Sequence, residues 1–201
     1  MTALNDNPPV ITSNGGGATA AVAIAENGAA VTAVSATDAD LPAQTLTYSI
    51  AGGADAALFT INASTGALTF IAAPDFEAPA DAGANNVYDV VVQVADGNGG
   101  SDTQAIAVTV TAVNDNAPVI TSNGGGATAA VVIGENSSAV TTVTATDADL
   151  PAQTLTYSIV GGADAALFTI NGTTGVLSFV AAPNYEVPAD AGANNVYDVI
   201  V

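Results

Sequence analysis

Short groups of oxygen-bearing side chains recur along this chain: Glu26-Asn27, Asp38-x-Asp40, Asp75-x-Glu77, Asp96 and Asn114-Asp115-Asn116. Asp6, inside Asn5-Asp6-Asn7, precedes them, and Glu135, Asp147-x-Asp149 and Glu186 follow. These groups hold 12 of the 19 carboxylates, and the chain has no Lys, Arg or His to pair with any of them. Two like charges a few ångströms apart repel by about 1 kcal/mol in water and by several in a partly dry setting. Acids grouped in this way call for a cation from solution. Hard oxygen ligands, six to eight per ion, suit Ca2+, whereas Mg2+ prefers fewer and keeps its waters.

The same charge balance excludes whole classes of partner. With no basic residue there is no footprint for nucleic acid and no attraction to anionic membrane surfaces. Hydrophobic residues make up 49% and charged residues 9%, so the composition supports a buried core and not a disordered acidic chain. Without Cys there is neither a disulfide framework nor a thiolate metal site. The start, MTALNDNPP, has no basic and apolar run of the signal-peptide kind. No stretch approaches the about 18 apolar residues of a membrane span, so no membrane insertion is expected of this segment.

What must position the carboxylates is a repeated unit. Val10–Val92 aligns with Val119–Val201 at a constant offset of 109, and 67 of the 83 positions are identical. Solenoid repeats run about 20–50 residues; a unit of this length is domain-sized. Within it the apolar residues alternate with period two in LTYSI (Leu46–Ile50), VYDVVVQV (Val87–Val94) and AIAVTV (Ala105–Val110). Shorter strands are expected at VAIAE, AVTAVSA (with a bulge before Val34), LFTI and ALTFI. Turn clusters separate them: SNGGG at Ser13–Gly17, ENG, AGG, NASTG and DGNGG. Seven short antiparallel strands with turns every 8–12 residues read as an immunoglobulin-like Greek-key β-sandwich, all-β throughout.

The order of the acidic groups and turns resembles the cadherin repeat, especially the cadherin-like domains of large bacterial surface and secreted proteins of adhesin type. The resemblance rests on Glu26-Asn27, ATDADLPAQTLTYSI (Ala36–Ile50), TGALTF (Thr65–Phe70), Pro74-Asp75-Phe76-Glu77, VADGNGG (Val94–Gly100) and VNDNAP (Val113–Pro118). It implies residues 1–9 as the end of a preceding repeat, 10–112 as repeat one, 113–118 as a calcium-binding linker and 119–201 as repeat two. The second repeat stops before the counterpart of Gln93–Val113, so it is expected to be truncated, with an open sheet edge. Both ends resemble internal boundaries, since TALNDNPPVIT copies TAVNDNAPVIT.

In that family Ca2+ lies between consecutive repeats. The resemblance implies ligands Glu26, Asp75 and Glu77 from repeat one, Asn114, Asp115 and Asn116 from the linker, and Asp147 and Asp149 from repeat two. Asp6, Asp38, Asp40 and Asp96 would form one half-site facing a preceding repeat, and Glu135 and Glu186 another facing a following one. Two departures stand out. Ala112 occupies the position where the family linker usually starts with Asp, and Asn184 replaces the counterpart of Asp75.

The functional expectation is an extracellular, cell-surface spacer and adhesion module stiffened by calcium. Its partners are adjacent repeats of the same chain and a homophilic or heterophilic surface partner. The alternative is a ligand-binding module recognising carbohydrate or a partner cadherin-like domain through a sheet face. Enzymatic activity is not expected: a nucleophilic Ser or Thr would need a base such as His or Lys, and the chain has neither. The Ser13–Gly17 loop lacks the Lys and helix of a phosphate cradle and reads as a flexible loop. Asp55, Asp81, Asp89 and Asp102 join no group and are expected to be solvated.

Overall fold

The computed structural model describes residues 4–201, so residues 1–3 of the leading segment lie outside the described residues. The chain folds as two compact units, Met1–Asn114 and Asp115–Val201. The division falls inside the Asn-Asp-Asn stretch read as linker.

The first unit holds β1 (Val10–Ile11), β2 (Thr19–Ala25), β3 (Ala30–Ala33), β4 (Ala36–Thr37), β5 (Thr47–Gly52), β6 (Phe59–Ile61), β7 (Ala67–Phe70), β8 (Val87–Ala95) and β9 (Ser101–Thr111). One sheet runs β2-β9-β8-β5, a second β3-β7-β6, and β1 pairs with β4. Alternation decides which residues face inward. Tyr88, Val90, Val92 and Val94 of β8 are buried, as are Ile106, Val108 and Val110 of β9, while the residues between them are not. The opposing sheet contributes Phe59, Leu68 and Phe70 to the same core. Phe70 packs on Phe59 at 4.4 Å and meets Tyr88 edge-on at 5.0 Å, the offset geometries that ring quadrupoles favour. The bulge expected in AVTAVSA is present as a register shift between Ala30 and Thr32, and Val34 beyond it is buried.

One strand pairing departs from the antiparallel reading. β2 lies parallel to β9 over seven residue pairs, Thr19 against Ala105 through Ala25 against Thr111. Period-two alternation is blind to strand direction. A parallel pair needs a long crossover, and here all the intervening strands supply it.

Tight turns hold the frame. Gly66 follows the β6–β7 hairpin loop with φ +68°, and a Cβ there would sit 2.0 Å from the Val34 carbonyl oxygen, so only glycine fits.

The second unit repeats part of this plan with β10 (Val119–Ile120), β11 (Ala139–Thr142), β12 (Ala145–Thr146), β13 (Phe168–Ile170) and β14 (Val176–Phe179). β10 pairs with β12, and β11-β14-β13 form a three-stranded sheet. Phe168, Phe179 and Tyr197 reproduce the aromatic trio at 4.4 and 5.0 Å. The other sheet is not assembled: residues 128–134, equivalent to β2, are unpaired, and an isolated bridge joins Gly161 to Ile200. Val132 is accordingly 95% exposed.

Candidate metal centre

Asp38 and Asp40 follow β4 directly, and the Asp40 N–H donates to Asp38 Oδ1 at 2.9 Å, a two-residue turn that fixes both carboxylates. Asp40 is buried and accepts three N–H groups. The backbone N–H of Asp6 and of Asn7 reach its Oδ2 at 3.1 and 3.0 Å, and Asn7 Nδ2 reaches Oδ1 at 2.6 Å. Asp96 follows β8; its Oδ1 accepts the Asn98 and Gly100 N–H at 2.7 and 3.0 Å, and Asn5 Nδ2 approaches its Oδ2 at 3.4 Å. The leading segment therefore ties together both acids, and the residues expected as one half-site, Asp6, Asp38, Asp40 and Asp96, gather at one end of the first unit.

Hydrogen bonds to the charged form lower a carboxyl pKa, and burial raises it. At Asp40 the Asn7 side-chain amide outweighs burial, with further help from the Asn7 and Asp6 backbone, and the pKa lies below its ordinary value. At Asp96 the Asn98 backbone N–H does the same. Both groups are anions at neutral pH. Asp38 Oδ2, by contrast, is buried with no hydrogen-bond partner, an orphaned polar oxygen of the kind that a buried site must satisfy.

The second unit builds the same cradle from its own residues. Asp149 N–H donates to Asp147 Oδ1 at 3.0 Å, and Asp149 Oδ1 accepts the N–H of Asn116 at 3.1 Å, Asn116 Nδ2 at 2.9 Å and the Asp115 N–H at 3.4 Å. Asp149 is 2% exposed. The Asn116 side-chain amide is the main cause of its lowered pKa. Gln153 Nε2 adds a bond to Asp149 Oδ2 at 3.2 Å, a contact with no signal in the acidic pattern.

At the other end of the first unit, Glu26 follows β2 and is 4% exposed. Its Oε2 accepts the Phe76 N–H at 2.7 Å and its Oε1 the Val113 N–H at 2.6 Å, so one carboxylate bridges the Asp75-x-Glu77 turn and the segment that leaves β9 next to Asn114. Asp75 Oδ1 caps its own turn by accepting the Glu77 and Ala78 N–H. Oxygens of Glu26, Asp75 and Glu77 all lie within 4.8 Å of one another. In the second unit Glu135 keeps one bond, from the Tyr185 N–H at 3.0 Å, and Asn184 takes the capping role of Asp75 toward Glu186 and Val187. There the group is exposed and has one acid fewer.

Two acids expected to be solvated are buried, and a third is half-buried. Asp55 is buried, its Oδ1 accepting the Ala82 N–H at 2.7 Å and its Oδ2 the Asp89 N–H at 2.8 Å. Asp81 is buried beneath the Asn85 and Asn86 N–H. Asp102 Oδ2 accepts the Ile11 N–H at 2.8 Å and fastens β1. Asp89 is exposed. These acids serve backbone donors, so their isolation from other acids in sequence says nothing about solvation. The Ser13–Gly17 loop is likewise held: buried Gln104 donates to the Ser13 and Gly17 carbonyls at 3.3 and 2.8 Å and accepts from Asn14 Nδ2 at 3.3 Å. A polar residue in phase with the core row of β9 was the available signal.

The cadherin-domain family matches residues 20–112. The repeat is cadherin-like. Human protocadherin Fat 1 is 35% identical over 179 residues, 86% of this chain and 4% of that protein. The solved protocadherin gamma B2 extracellular cadherin domains 3–6 superpose with a TM-score of 0.61 at 26% identity, covering 92% of this chain and 45% of theirs. Human protocadherin-24 EC1-2 gives 0.65 at 25% identity, covering 91% of this chain and 81% of that one. The chain thus spans a small part of the long relatives it matches. Its cadherin-like sandwich is of the extracellular, cell-surface kind, and no helix among the described residues is long and apolar enough to cross a membrane.

Proposed function

We propose that this chain is a calcium-stiffened spacer and adhesion module of a multi-repeat extracellular protein. The observation that carries the reading is the cradle built twice from separate residues, on Asp38-Asp40 and on Asp147-Asp149, each with its second aspartate hydrogen-bonded by an Asn-Asp-Asn segment. The donor set fits Ca2+: every candidate ligand is a hard oxygen, and Asp38 Oδ2 is buried and unsatisfied by protein. The proposed ligands are Glu26, Asp75, Glu77, Asn114, Asp115, Asn116, Asp147 and Asp149, with Asp6, Asp38, Asp40 and Asp96 as one half-site and Glu135 and Glu186 as another. Bound Ca2+ would supply the positive charge that the chain lacks.

The residues do the positioning. Asn7 and Asn116 draw each linker segment onto an aspartate, and Glu26 fixes the segment leaving β9 through Val113. Without a counter-charge, repulsion among the grouped acids works against an ordered linker. Extracellular modules bind Ca2+ with Kd of about 10⁻⁴–10⁻³ M, so stiffness would follow the calcium level outside the cell. The role is structural and not enzymatic, with adjacent repeats and a homophilic or heterophilic surface partner as its contacts. Origin in a large bacterial adhesin-type protein rests on the sequence resemblance; protocadherin Fat 1 and protocadherin-24, named above, are human.

Calorimetric titration of the chain with Ca2+, paired with small-angle scattering with and without chelator, tests the reading. Binding heat and a longer maximum dimension in Ca2+ are expected. Asp147→Asn and Asp149→Asn should each weaken binding on the order of tenfold, since affinity follows ligand charge, while exposed Asp198→Asn leaves it unchanged. No heat and no change of dimension would refute it.

A further inference from the structure

We infer that Asn62 and Asn171 are acceptors for N-linked glycans. They open the tripeptides Asn62-Ala63-Ser64 and Asn171-Gly172-Thr173, which fit the Asn-x-Ser/Thr acceptor pattern of secreted proteins. Both lie in the loop of a two-stranded hairpin, β6–β7 and β13–β14 respectively, and all six residues are exposed.

The local geometry suits the chemistry. Asn62 Oδ1 accepts the Ser64 and Thr65 N–H at 3.0 Å each, and Asn171 Oδ1 accepts the Thr173 and Thr174 N–H at 3.0 and 2.9 Å. These bonds use only the carbonyl end of the amide. Among the described residues, neither Nδ2 nor the hydroxyls of Ser64 and Thr173 bond to another protein group. The nucleophilic end and the hydroxyl that the acceptor pattern requires therefore both face solvent.

An Asx turn alone would account for the asparagines, because Asn and Asp bond their own backbone two residues on. It does not account for the hydroxyls. The turn bonds go to backbone N–H groups, which any residue but proline supplies at position 64 or 173. Two of the three tripeptide positions differ between the copies, Ala63 against Gly172 and Ser64 against Thr173, and the hydroxyl is kept. The remaining match, Asn136-Ser137-Ser138, has no counterpart in the first copy, where Asn27-Gly28-Ala29 stands.

The transfer balances with a lipid-pyrophosphate-linked oligosaccharide as donor. Asn Nδ2 forms a bond to the anomeric carbon, the bond from that carbon to the pyrophosphate oxygen breaks, the lipid pyrophosphate leaves with the electron pair, and one amide proton passes to a base of the transferase. The product amide keeps its carbonyl, so the two backbone bonds that hold the turn survive. The proposal rests on the extracellular placement of the repeat and not on calcium.

The test is secretion of the 201-residue chain from cultured animal cells alongside a reporter glycoprotein, with peptide mapping by mass spectrometry before and after peptide-N-glycosidase. Glycan at both Asn62 and Asn171 is expected. Ser64→Ala and Thr173→Ala should each abolish one glycan while leaving the Tm of the deglycosylated protein unchanged. Unmodified Asn62 or Asn171 in chain co-secreted with a glycosylated reporter would overturn the assignment, as would glycan retained in either alanine variant.

Discussion

Glu26 and Glu135 are the same residue of two nearly identical copies, yet one is buried and the other exposed. The difference lies 87 residues downstream. Glu26 accepts the Val113 N–H as well as the Phe76 N–H, whereas Glu135 keeps only the nearby turn bond from Tyr185. The same contrast governs the glycine loops: Ser13–Gly17 is pinned by Gln104, and the described bonds of the loop at 122–126 include no such donor. Features made by short-range partners are copied faithfully, as in the aromatic trios with matching centroid distances. Features that need β9 are not. Local sequence thus sets turns and acid cradles, and distant strands decide how dry they become.

Amide exchange probes this contrast most strongly. Residues 19–25 are paired along their length with β9 and residues 128–134 are not, so protection in the first stretch should exceed that in the second by about a hundredfold or more, as expected between core strands and open segments. Equal protection would mean that the lone pairing with β9 is not what stabilises β2, and the comparison would collapse.

A smaller effect, of equal size in both copies, is expected at Asp55 and Asp164. Each is buried and each accepts two backbone N–H groups in matching geometry, at 2.7 and 2.8 Å. Alanine there removes a buried carboxylate and both of its hydrogen bonds from backbone N–H groups, so a loss of about 2–4 kcal/mol is expected for either variant, against about 0.5 kcal/mol for a solvated acid. Denaturant titration with probes in each unit measures it. A silent Asp164→Ala beside a costly Asp55→Ala would show that long-range packing reaches this site too.

Acid titration without metal should give the smallest effect and treat the copies alike. The folded pKa of Asp40 and of Asp149 lies below the ordinary 3.8, chiefly through the Asn7 and Asn116 side-chain amides. The unfolded chain then binds more protons, so these groups contribute stability above pH 3.8 that is lost as pH falls through their folded pKa. Thermal unfolding in chelator should therefore show a Tm that declines below about pH 4. Asn7→Ala should flatten the decline in the first unit only. A Tm that rises on acidification would mean that relief of repulsion among the acids outweighs their hydrogen bonds.

Much of this was legible in residue types and spacing. Alternation located β5, β8 and β9, and recurrence of the acidic groups located the cradles, because a carboxylate two residues from another in a turn has few places to go. Strand direction was not legible, since period two reads the same both ways. Nor was the burial of Asp55 and Asp81, whose partners are backbone N–H groups that every residue but proline carries. Gln104 was visible only as a polar break in an apolar row.

The parallel run of β2 beside β9 has a mechanical side. The first long strand of the sandwich and the last one point the same way, so tension drawn through their outer ends acts along the shared strand axis. The seven residue pairs between Thr19 and Thr111 would then be loaded in shear, together, instead of being peeled one at a time. A module joined to its neighbours in series and pulled end to end would yield only when that whole ladder slips at once.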